Sequence, residues 1–246
     1  MTVENFLEEA KLIKHLSHPK VIKLIGVCTQ EQPIYIVTEL LKPGCLVDYL
    51  REASRSLKES TLIDIGAQIA KGMAYLESKN CIHRDLTARN VLISENRICK
   101  IANFHLARIL TQNTYQDQPG ACKFPIKWTA PEALQHRQFT IKCDVWSFGI
   151  FLFEVITFGR IPYPGIHNKH VVEKIKEGYR MPKPQDCPSG LYDIMLECWK
   201  MDPESRPTFE SLHWRLEEFY TATELGYTEP SGVYANINVH ANIDTD

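Results

Sequence analysis

The chain has 246 residues, 44% of them hydrophobic and 24% charged, so it can fill one large domain and is too apolar for global disorder. Its 28 basic and 30 acidic residues nearly cancel, which argues against nucleic-acid binding by bulk charge. The eight cysteines are scattered without a C-x-x-C pair, which argues against a zinc frame or disulfide scaffold and points to reduced thiols in a cytoplasmic setting.

Residues 2–16 predict a helix, because Val3, Phe6, Ala10, Ile13 and Leu16 recur at helical spacing beside Glu8, Glu9, Lys11 and Lys14. His18-Pro19 ends it, and its acidic, amphipathic character is unlike a signal peptide. Val21–Thr29 and Pro33–Leu40 predict an antiparallel hairpin about Gln30-Glu31-Gln32. Lys42-Pro43-Gly44 breaks the pattern. Beyond it the chain turns helical. Leu62, Ile65, Ile69, Met73 and Leu76 form an apolar stripe, with Thr61 and Asp64 as a capping box. Val91–Ser94 and Cys99–Ala102 predict short strands. Asp144–Thr157 is apolar on almost every side and predicts a helix buried in a helical lobe. The most apolar run, Val145–Ile156, is shorter than a bilayer span and carries Glu154, so no transmembrane segment is expected. Further helices are expected at 168–177, 189–200 and 208–220. Residues 221–246 hold four acidic residues and no Lys or Arg, and predict a flexible acidic tail.

The octet His83-Arg84-Asp85-Leu86-Thr87-Ala88-Arg89-Asn90 carries chemistry. It fits H-R-D-x-x-x-x-N, in which a carboxylate meets a substrate hydroxyl while an amide oxygen five residues on reaches a metal ion. Ala130-Pro131-Glu132 and Asp144-Val145-Trp146-Ser147-Phe148-Gly149 follow in the same order and at the same intervals as in protein kinases.

With these motifs the chain resembles the protein kinase family. Arg89 and the stretch Phe124–Glu132 look like tyrosine kinases, and Thr87 stands where serine/threonine kinases usually carry Lys. The segments PIYIVTEL, GMAYLES, IMLECW and RPTFESLHWRLEEF are similar to the cytoplasmic Src group, especially the Fyn-related kinases, and the resemblance covers residues 1 to about 228. It implies an α+β protein-kinase-like fold: a truncated small lobe of one helix and a hairpin with the hinge (1–41), a helical large lobe (42–220) and the tail. It also implies ATP and magnesium as cofactors and protein tyrosines as substrates. Asp85 would be the catalytic base, Arg89 would help hold the acceptor tyrosine, and Asn90 and Asn103 occupy the magnesium-ligand positions. Thr38 is the gatekeeper, Glu39 and Leu41 offer hinge backbone groups to adenine, Leu92 is the adenine floor, and Asp48 lies near the ribose edge. Glu9 matches the helix glutamate that pairs with a strand lysine, and Glu132 with Arg206 matches a structural ion pair. Tyr115 matches the activation-loop phosphorylation site, where a phosphate would pair with Arg84 and Arg108 and order the loop.

Two departures bear on activity. No G-x-G-x-x-G and no V-A-I-K occurs in the 246 residues, so Glu9 is expected to lack its lysine. The family's D-F-G reads Asn103-Phe104-His105, which replaces a metal-binding carboxylate by an amide and a mobile glycine by histidine. The expectation is a tyrosine-kinase domain with weak or absent Mg-ATP binding and little catalysis, or a pseudokinase that engages partners through its large lobe and tail. Tyr227 and Tyr234-Ala235-Asn236 are candidate phosphotyrosine sites for SH2-domain proteins, or inert tail residues.

Overall fold

The computed structural model describes residues 3–54, 56–117 and 124–225. In chain order the elements are α1 (Val3–Lys14), β1 (Leu24–Cys28), β2 (Tyr35–Thr38), β3 (Pro43–Cys45), α2 (Leu46–Glu52), α3 (Glu59–Ser78) and β4 (Cys81–Ile82). Next come β5 (Val91–Ser94), β6 (Cys99–Ile101), β7 (Arg108–Ile109), β8 (Tyr115–Gln116), α4 (Pro131–His136) and β9 (Gln138–Phe139). Helices α5 (Ile141–Ile156), α6 (Asn168–Lys176), α7 (Ser189–Cys198) and α8 (Phe209–Glu224) complete the set. This is the α+β kinase-like architecture expected, a small α1-plus-hairpin layer on a helical lobe.

The apolar composition of α5 decides where the core sits. Trp146, Phe148 and Phe151 are fully buried, and Phe148 stacks edge-on against Phe209 of α8 with centroids 5.6 Å apart. Gly149 lets α5 approach α7: a Cβ there would lie 2.5 Å from Trp199 Nε1. Thr140 starts α5, its side chain accepting from Lys142 N at 3.2 Å. The small layer is built differently. β1 and β2 pair antiparallel, with Ile25, Val27, Tyr35 and Val37 exposed. Residues 20–22 stitch the layer to the lobe through Ile22 N to Ile101 O and Ile101 N to Lys20 O, both 2.9 Å.

Several sequence expectations shift. Pro43–Cys45 is a strand, pairing with β5; an edge position tolerates the proline because its missing N–H costs no ladder bond there. Thr61 and Asp64 lie inside α3, whose N-cap is Lys58. Thr61 Oγ1 accepts from Arg97 at 3.2 Å and Asp64 from Gln68 at 2.7 Å, so neither caps the helix. α8 continues to Glu224, four residues into the stretch read as tail, because Phe219 and Tyr220 still pack on the core and Thr221 and Thr223 donate back to Glu217 O and Phe219 O. The short helices α2 and α4 carry too few turns for periodicity to reveal them.

Candidate active site

The loop after β4 is hung from α5. Asp144 accepts from two consecutive backbone groups, His83 N at 2.7 Å and Arg84 N at 2.9 Å. Those bonds hold Arg84 at φ 66°, a left-handed conformation that costs a side-chain-bearing residue about 1–2 kcal/mol. Nearly three turns further along α5, Glu154 Oε2 accepts from Ala88 N and from Trp128 Nε1, both at 2.9 Å. Burial pushes Asp144 up to about 6 and Glu154 up to about 7, while the N–H donors pull both the other way. His83 is wholly buried, which lowers its pKa, and its Nε2 lies 3.1 Å from Ala102 O.

Within this frame the loop closes on itself. Asn90 Nδ2 donates to Asp85 O at 2.7 Å, and Arg89 Nη2 donates to Asp85 Oδ1 at 3.0 Å. Asp85 and Arg89 line a cleft of about 450 Å³ together with His105, Lys127 and Trp128. Asn103 sits at φ 61°, a conformation Asn tolerates better than most residues. Its Nδ2 donates to Asn90 Oδ1 at 2.8 Å, and its Oδ1 lies 2.7 Å from His105 Nδ1, which must therefore carry the proton. His105 itself is outside the left-handed region, so the glycine position makes no demand on φ here. Glu9 on α1 accepts from Phe104 N at 2.8 Å; burial raises its pKa against that bond.

Asp85, Arg89, Asn90, Asn103 and, through Phe104, Glu9 are thus brought together. The adenine-side residues form a second group. Thr38 ends β2, half-buried, and Glu39 is spent on the layer itself, with its carboxylate on Lys100 Nζ at 2.7 and 2.8 Å and on Lys23 N at 2.8 Å. Leu41 is buried at the base of the hairpin, and Leu92 lies on β5 opposite Cys45 and Lys100. Asp48 is exposed on the first turn of α2, 3.9 Å from Arg51. Glu132 and Arg206 pair through two bonds of 2.6 and 2.9 Å. Tyr115 lies on β8 over Arg84 and Arg108. Tyr227 and Tyr234 lie outside the described residues. Sequence reasoning missed Asp144, Glu154 and Asp117 as site residues; the signal for the first two was a carboxylate inside a helix that is otherwise almost wholly apolar.

The donor set does not fit magnesium, which favours anionic oxygen. Two carboxamides and an imidazole meet there, and an amide N–H of Asn103 points at the oxygen Asn90 would give a metal. No group of three or more His, Cys, Asp or Glu placed to hold a metal occurs among the described residues. No helix among them is long and apolar enough to cross a membrane.

A buried H-R-D loop hung from one central helix, beside a loop tied to a helix glutamate, is the architecture of a protein kinase. Residues 1–216 match the family model for protein tyrosine and serine/threonine kinases. The chain is 56% identical over 215 residues to tyrosine-protein kinase SRK2 of Spongilla lacustris, a match covering 87% of this chain and 59% of that protein. It belongs to the protein tyrosine and serine/threonine kinase family and is similar to a Src-type tyrosine kinase.

Proposed function

We propose that this is a tyrosine-kinase domain of the cytoplasmic Src/Fyn-related type in which phosphoryl transfer from ATP to protein tyrosine is severely impaired. The observation that carries the reading is the hydrogen-bonded chain His105–Asn103–Asn90, which consumes the side-chain oxygens at both metal-ligand positions. Asp85 remains seated in the cleft as the group to receive the acceptor hydroxyl's proton, with Arg89 on one of its oxygens. Thr38, Glu39, Leu41, Asp48 and Leu92 would frame adenine and ribose, but the charge that draws Mg-ATP phosphates is lacking at 103.

The test pairs binding with turnover. The chain should gain no melting temperature from Mg-ATP beyond that from ATP with a chelator, and should label poly-Glu/Tyr only at background. Asn103→Asp with His105→Gly should raise the affinity for Mg-ATP at least ~10-fold, about 1.4 kcal/mol, the low end for one polar contact to a charged group. Strong labelling by the unaltered chain, abolished by Asp85→Asn, would overturn the reading.

A second reading, a binding module acting through the large lobe and the tail tyrosines, is favoured by the intact scaffold around residues 83–90. Synthetic 221–246 peptides phosphorylated at Tyr227 or Tyr234 should then bind an SH2 domain with micromolar Kd or better. Binding no tighter than about a millimolar would remove the tail from this role.

A further inference from the structure

A phosphate on Tyr115 needs an arginine, and Arg84 is the buried arginine beside Asp85. It is already engaged. Its Nη1 lies 3.2 Å from Asp117 Oδ1, with both side chains 1% exposed, and its Nε donates to Leu106 O at 2.6 Å. Asp117 holds a second arginine: its Oδ2 lies 3.6 Å from Arg137 Nη1, and its backbone N donates to Arg137 O at 2.9 Å. The pairing of β8 with β9, Tyr115 against Phe139 and Gln116 against Gln138, sets that carboxylate in place. Around it the Arg84 guanidinium is faced by the rings of Tyr115 at 4.7 Å and Phe139 at 4.9 Å, and Arg108 lies 5.8 Å from the same Tyr115 ring.

We propose that Asp117 is a built-in substitute for activation-loop phosphate, a positioning residue that fixes Arg84 and, through it, the catalytic loop. A guanidinium buried to this degree requires an anion, and removing one partner of such a pair leaves an uncompensated charge. Asp117 supplies that anion from two residues beyond Tyr115. Order in residues 105–117 therefore does not wait on modification of Tyr115. A phosphate there would bring its charge beside a carboxylate that already fills the site, and like charges in a buried setting repel. The inference concerns the geometry of the fold and holds whether or not the chain transfers phosphate.

Hydrogen exchange on the whole chain tests it, with phosphotyrosine installed at position 115 during synthesis. Unmodified protein and the phosphotyrosine form should show the same protection in 83–90 and 105–117, within about twofold. In Asp117→Asn, exchange in both segments should speed up at least about tenfold, and phosphotyrosine at 115 should restore protection because the phosphate now finds Arg84. Asp117→Glu should retain protection, a rescue that loss of packing alone would not give. The proposal fails if phosphotyrosine raises protection about tenfold in the unaltered protein, or if Asp117→Asn exchanges like it. Should Asp117→Asn not fold, the phosphotyrosine form and Asp117→Glu still decide.

Discussion

The catalytic loop and the segment 103–105 meet at one hydrogen bond, Asn103 to Asn90, yet they are held to different degrees. Residues 83–90 hang on two buried carboxylates of α5, each accepting from two N–H groups, and most of the loop is sealed from water. Residues 103–105 have a single carboxylate anchor, Glu9 on the buried Phe104, while Asn103 and His105 hold one another through an amide and an imidazole in more exposed positions. The shape of the loop is therefore set from below, by groups that never touch a substrate. The charge that would act on a metal is set at the surface of the cleft, where substitution disturbs little else. On the proposed reading, a kinase scaffold keeps its fold while its metal site changes at Asn103.

The strongest way to break that contrast is Asp144→Ala. It leaves two buried backbone N–H groups without an acceptor and should cost about 3–5 kcal/mol, read as a lower urea midpoint at constant m. A loss below about 1 kcal/mol would mean that the loop is held elsewhere.

Glu154 sharpens the same point through pH. Burial lifts it from 4.5 to about 7, so between those values the folded chain binds the proton more tightly than the unfolded chain does. The stability this group contributes is complete below about 4.5 and is lost as pH rises through 7. Glu154→Gln keeps an acceptor oxygen and does not titrate. Relative to the unaltered protein it should gain about 2–3 kcal/mol between pH 5 and pH 8. A difference that stays flat with pH would place Glu154 at an ordinary pKa.

Gly149→Ala tests the seat of α5 itself. The added methyl would meet Trp199 Nε1 at 2.5 Å and Cys198 Cβ at 2.8 Å, and overpacking of this kind costs about 1–3 kcal/mol. An unchanged melting temperature would show that α7 can move aside.

Asn103→Gly should have the smallest effect. It gives up two partly exposed hydrogen bonds, worth about 1 kcal/mol each, and relieves a left-handed backbone at φ 61°. The net change in unfolding free energy should stay below about 1 kcal/mol. A cost equal to that of Asp144→Ala would erase the distinction between the two regions.

Much of this was legible in the sequence. Apolar patterns announced α1, α3 and α5 because burial of one face, or of all faces, leaves a record in the sequence. The octet at 83–90 announced the loop because its chemistry fixes both residue type and spacing. Short elements left no such record. β3 hides in a Lys-Pro-Gly stretch, and the extension of α8 past residue 220 depends on Phe219 and Tyr220 finding the core.

The sequence by itself determined the kinase family, and it carried the motifs on which the proposed roles of Asp85, Arg89, Asn90, Asn103 and His105 rest. All of these are local patterns, carried by residues a few positions apart. Tertiary structure alone decided what holds them: Asp144 reaching His83 and Arg84 across about sixty residues, Glu154 reaching Ala88 across sixty-six, and Glu9 reaching Phe104 across ninety-five. It also decided that Arg84 is spent on Asp117. A buried charge must find its partner wherever the fold brings one, and that partner leaves no mark in the neighbouring sequence.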